Sequence, residues 1–98
     1  GIRAPLILQT VLGFDAATNS NTAFVLWYSP GVPSSSQVRW GTSQALENTT
    51  VVDPAMVENH EATIPGLSPD TLYYFQAVSI DATGYTATSG VITKRTKP

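Results

Sequence analysis

The stretch that most constrains this chain is residues 66–75, Gly-Leu-Ser-Pro-Asp-Thr-Leu-Tyr-Tyr-Phe. Before it, Ala62-Thr63-Ile64 alternates as a strand does, and after it the alternation resumes through Tyr73, Phe75, Ala77 and Ser79. Pro69-Asp70 is a turn pair: proline presets φ, and aspartate bonds backbone close by. One strand therefore ends, the chain turns a corner, and a long aromatic strand begins. In a sandwich corner of this kind, a tyrosine near the start of the second strand turns its hydroxyl back to the backbone just upstream. Tyr73 is the candidate for that role.

The rest of the chain reads as further short strands separated by turn signals, which spell an all-β, seven-stranded sandwich. Strand A is the apolar run 6–12, and residues 13–21 read as a loop. Strand B is 22–28, Thr-Ala-Phe-Val-Leu-Trp-Tyr, stopped by Ser29-Pro30-Gly31. Strand C spans 37–41, with Val38 and Trp40 on one face. A weaker strand C′ covers 46–53, and 55–58 reads as loop. Strand E is 59–65 and strand F is 71–81. Asp81-Ala82-Thr83-Gly84 is a turn in which Gly84 is free to take positive φ. Strand G covers 85–94, broken or bulged near Ser89-Gly90. The expected sheets are A-B-E and C′-C-F-G, in one domain over 1–98 with linker ends at 1–5 and 95–98.

This strand pattern resembles a fibronectin type III domain over nearly the whole chain. Trp27 falls where that family places the core tryptophan of strand B. Val38-Arg39-Trp40-Gly41 resembles its strand C, and Leu67-Ser68-Pro69-Asp70-Thr71-Leu72-Tyr73 its Leu-x-Pro-x-Thr-x-Tyr signature. The resemblance implies structural roles for Trp27, Trp40, Leu67, Pro69 and Tyr73. His60, Tyr73-Tyr74 and Asp81-Ala82-Thr83-Gly84 are also similar to bacterial extracellular modules and to the small domain at the front of purple acid phosphatases. In those enzymes the metal site lies in a separate catalytic domain, so the resemblance carries no metal ligand onto this sequence.

Composition excludes several functions. A net charge of −2, with 12% of residues charged, does not suit phosphate-backbone or polybasic membrane contacts. No apolar run reaches the roughly 20 residues a membrane helix needs. There is no cysteine, hence no disulfide or thiolate site. His60, the single histidine, reads as a structural residue near the edge of the core, with a ligand or pH-sensing role as the alternative. No nucleophile elbow, calcium loop or phosphate-cradling glycine run occurs. The expectation is a chain with no cofactor, no metal and no catalytic residues. Asn48-Thr49-Thr50 fits the N-glycosylation pattern.

Strand B breaks the usual rule that a half-wet strand alternates apolar with polar. With Ala23, Val25 and Trp27 inward, Phe24, Leu26 and Tyr28 point outward. With the similarly two-faced strand A, they would form an apolar patch of the kind that marks partner contacts. The competing arrangements are a face covered by loops or a terminal arm, and a register shifted by one. Tyr74, Val78 and Ile80 give strand F a second candidate surface. The expected function is a non-catalytic extracellular or cell-surface spacer, interaction or assembly module, contacting neighbouring domains, a protein partner or itself. The alternatives are a self-assembling filament or surface-layer subunit and an accessory domain of a secreted hydrolase or phosphatase. Carbohydrate binding would need Tyr28, Tyr74 and Tyr85 in a line.

Overall fold

Trp27 decides how the two layers meet. In the computed structural model, which describes residues 12–98, it is fully buried between them. The first layer is antiparallel and three-stranded, in the order β1 (Leu12–Thr18), β2 (Ala23–Tyr28), β6 (Asn59–Ile64). The second centres on β3 (Ser34–Gly41) and β7 (Leu72–Ile80). On the β3 side lie β4 (Asn48–Thr49) and β5 (Asp53–Val57); on the β7 side lie β8 (Thr86–Thr88) and β9 (Ile92–Arg95). The described residues form an all-β sandwich of the expected class, with A-B-E as β1-β2-β6. Among the described residues nine strands replace seven, because C′ shortens to β4, β5 forms from its last residue and the expected loop, and G divides into β8 and β9 around residues 89–91.

Burial selects the β2 register. Ala23, Val25 and Trp27 are each 0% exposed, and meet Ile64, Ala62 and His60 across the β6 ladder. A slip of one residue would send all three into water. Val38, Phe75 and Ala77 supply the facing side of the core. The indole Nε1 donates to Ser79 Oγ of β7 at 2.9 Å, so the ring also ties the layers together.

Three local expectations are corrected. Residues 13–18 form strand, not loop, because Gly13 (φ +63) makes a bulge between Leu12 and Asp15 instead of ending the ladder. Within the bulge half-buried Phe14, and just beyond it buried Ala16, join the core. The part of expected strand A over 6–11 lies outside the described residues. Residues 55–57 also form strand, as β5, held by pairing with the first half of β3 (Ser34↔Val57, Ser36↔Asp53). All five β5 residues are exposed, so no alternation announces the strand. Residues 95–97 are not a free linker. Arg95 belongs to β9, Thr96 is 1% exposed, and Lys97 N donates to Asn19 O.

The corner at residues 66–73 uses these last residues. Leu67 is buried and its amide donates to Asn21 O. Asp70 takes a positive φ of 50, and Arg95 donates to its carbonyl at 3.0 Å. Thr96 Oγ1 accepts from Thr71 N at 2.9 Å. Pro69 sits exposed at the turn, and buried Tyr73 accepts the Ser68 amide at its hydroxyl, 2.8 Å away. Tyr73→Phe would strand that amide, and is expected to cost about 1–2 kcal/mol. Urea unfolding checks this: an unchanged midpoint would show that the hydroxyl holds nothing.

Candidate interaction surface

The alternation of β2 leaves Phe24, Leu26 and Tyr28 on the water side, 46%, 46% and 44% exposed. They form one apolar stripe along the middle strand of the three-stranded layer. The strand register sets its width. Among the described residues, outward Asp15 and Ala17 flank it on β1, and the polar Asn59, Glu61 and Thr63 flank it on β6. The part of the expected patch on strand A over 6–11 lies outside the described residues. Gly13 shapes one end of the stripe: a Cβ there would lie 2.7 Å from the Tyr28 ring. Glycine thus supplies both the bulge conformation and the room for that ring.

Directly behind the stripe lies a buried polar cluster. His60 is 2% exposed and stacks on Trp27, with ring centres 5.1 Å apart and planes 4° from parallel. Ser29 Oγ lies 2.7 Å from Nε2, Ser36 Oγ 2.7 Å from Nδ1, and Ser34 Oγ 3.3 Å from Nε2. A neutral imidazole donates from one nitrogen and accepts at the other, so these hydroxyls satisfy both. The spacing matches that of a serine–histidine catalytic pair. Yet Ser29 is 1% exposed, out of reach of a substrate, and the nitrogen away from it meets a serine rather than a carboxylate. The cluster holds the layers together. Sequence reasoning did not find its serines; the only signal was Ser34 and Ser36, two apart and therefore on one strand face.

Burial lowers the His60 pKa below the ordinary value of about 6.5. The unfolded chain therefore takes up a proton at a higher pH than the folded one. The resulting stability is complete above about pH 6.5 and is lost as pH falls through the folded pKa. His60 is the only histidine, so this window belongs to it. An imidazole NMR titration is expected to show a midpoint below 6.5, with unfolding free energy falling as the solution is acidified from neutral. A midpoint at or above the free-histidine value would contradict this.

The remaining candidate residues lie apart. Tyr74 and Ile80 are half-buried and Val78 is 8% exposed, so the outer face of strand F is not an open surface. The reason is its central place: β3 flanks it on one side and β8 and β9 on the other, pairing Gln37↔Val78↔Thr88 and Gly41↔Tyr74↔Thr93. Tyr28, Tyr74 and Tyr85 occupy β2, β7 and the turn after β7, and form no line. Asn48 is exposed on β4, while the Thr50 hydroxyl accepts the Val38 amide at 2.9 Å. Trp40 is half-buried, 5.9 Å from the Tyr73 ring, and lines a cleft between β4 and β6. Among the described residues, no three His, Cys, Asp or Glu side chains gather as metal ligands would.

The fold and this surface define a fibronectin type III-like sandwich. The chain is similar in structure to the sixth fibronectin type III domain of human fibronectin type III domain containing protein 3. The TM-score is 0.72 at 21% identity, covering 100% of this chain and 93% of that one. The FN5 domain of Drosophila Lar gives 0.65 at 21% identity, covering 94% and 99%. The chicken CNTN1 FN1-FN3 domains give 0.73 at 15% identity, covering 94% of this chain and 33% of that one. A sequence comparison with curated proteins gives no match. Residues 9–96 match the family described as purple acid phosphatase, N-terminal domain, and the chain belongs to that family.

Proposed function

We propose that this chain is a non-catalytic interaction module of an extracellular protein, and that its three-stranded layer packs against a neighbour through Phe24, Leu26 and Tyr28. The observation that carries the reading is the exposure of those three side chains on a strand whose other face is fully buried. Covering them would remove apolar surface from water at about 25 cal/mol per Å² before the cost of association. Their rigid backing favours contact, because the strand is already ordered by Trp27 and His60. The family match favours one form of this role: an accessory domain whose neighbour is the catalytic domain of a secreted hydrolase. In the self-assembling form, the neighbour is a second copy.

Hydroxyl-radical footprinting tests the reading. Tyr28 and Tyr85 are 44% and 46% exposed, so the second is an internal control for the first. In the purified chain at low concentration both are expected to oxidise at similar rates. In the protein's native setting, Tyr28 is expected to be protected and Tyr85 not. Protection of Tyr28 that grows with concentration of the purified chain assigns the neighbour to a second copy. Equal oxidation of both tyrosines in the native setting would contradict the proposal.

A further inference from the structure

The border opposite β1 and β9 has a different character. There, among the described residues, β5 pairs only with β3, and β6 only with β2. Glu58 lies between them, where the chain crosses from one layer to the other, and its carbonyl accepts the Ser29 amide. Beside the second half of β6 opens a cleft of about 450 Å³. Every residue from 61 to 65 lines it, although Glu61 and Thr63 face outward while Ala62 and Ile64 face inward. Consecutive residues from both faces of a strand can line one cleft only where it meets the strand's edge. The cleft therefore adjoins the backbone N–H and C=O groups that β6 turns away from β2. Trp40 and Val51 supply apolar surface on the other side, and Val51 is 93% exposed.

Among the described residues, the charged side chains that line the cleft are both acidic. No Lys or Arg occurs from residue 40 to residue 93. Asp53 and Glu61 line the cleft, with Glu58 between their strands. Among the described residues none of these three pairs with a cation; Lys94 and Arg95 sit across the sandwich with Asp15 and Asp70. Pro54 cannot donate to an added ladder, so the open stretch is β6 and not β5. A second copy meeting this border edge to edge would set carboxylate against carboxylate. A basic partner would not.

We propose that the β6 border and its cleft bind an extended segment of a partner protein that alternates apolar side chains with Lys or Arg, added as a further strand of the three-stranded layer. The period of two in the added strand meets both needs. Its inward side chains enter the cleft over Trp40, and its outward cations face Glu61. This surface is separate from the Phe24–Tyr28 stripe and does not depend on it.

The probe is a capped synthetic peptide of about eight residues alternating Val and Lys, long enough to span β6, with a twin in which Glu replaces Lys. Amide shifts of the isotope-labelled chain are followed by NMR. The Lys peptide is expected to move residues 61–65 and 49–51, more weakly as salt rises, while the Glu peptide moves none. Glu61 is exposed, so Glu61→Lys is expected to leave the rest of the spectrum intact and to weaken binding at least about tenfold. The proposal is overturned by equal response to the two peptides, by shifts centred on Phe24, Leu26 and Tyr28, by an unaffected Glu61→Lys variant, by self-association through β6, or by no shift at millimolar peptide.

Discussion

Trp27 is the contact on which the rest of the molecule depends. Its ring stacks on His60 within its own layer, meets Phe14 edge-on at 6.4 Å, and donates across the core to Ser79. Those three contacts fix which side of β2 faces inward. Because side chains alternate, they also fix which side faces water. The exposed stripe is thus a consequence of core packing, and no separate device is needed to hold it open.

Polar groups close both ends of β6. At its start the Ser29, Ser34, Ser36 and His60 cluster joins the first layer to β3. Beyond its end the Tyr73 hydroxyl and the Thr96 side chain satisfy the backbone of the corner. Among the described residues, no buried side-chain nitrogen or oxygen lacks a partner. Such satisfaction matters, because each orphaned buried group would cost about 1–3 kcal/mol. The arrangement anchors β6 at both ends, while among the described residues no strand pairs with its outer edge beside the cleft. Anchoring of this kind lowers the ordering cost of docking at that edge.

The corner and β2 were legible in the sequence because each obeys a local rule. Pro69-Asp70 sets a turn, Tyr73 follows at a fixed offset, and Val25 and Trp27 alternate with their neighbours. Residues 13–18 were not, since Gly13, Asp15 and the alanines look like loop composition until Phe14 finds Trp27. β5 was hidden for the opposite reason: wholly exposed, it has no buried face to leave a pattern. The shell of His60 depends on residues 24 to 31 positions away, beyond any local signal. Tyr74 shows the limit of alternation, which gives the face of a side chain but not whether flanking strands shelter it. The fold was thus largely legible, whereas the open border needed strand order before it could be seen. A fibronectin type III-like fold serves many purposes, so the outward stripe and that border distinguish this chain more than its architecture does.

The direct test of the account is the β2 register itself. A soluble paramagnetic probe broadens the NMR signals of side chains that water reaches and spares those inside. The account predicts strong broadening of the Phe24 and Tyr28 ring protons, and none for Trp27 and Phe75, which are 0% exposed. Protected Phe24 and Tyr28 rings in the dilute monomer, beside a broadened Trp27, would mean that β2 packs in the other register, and the account would fail.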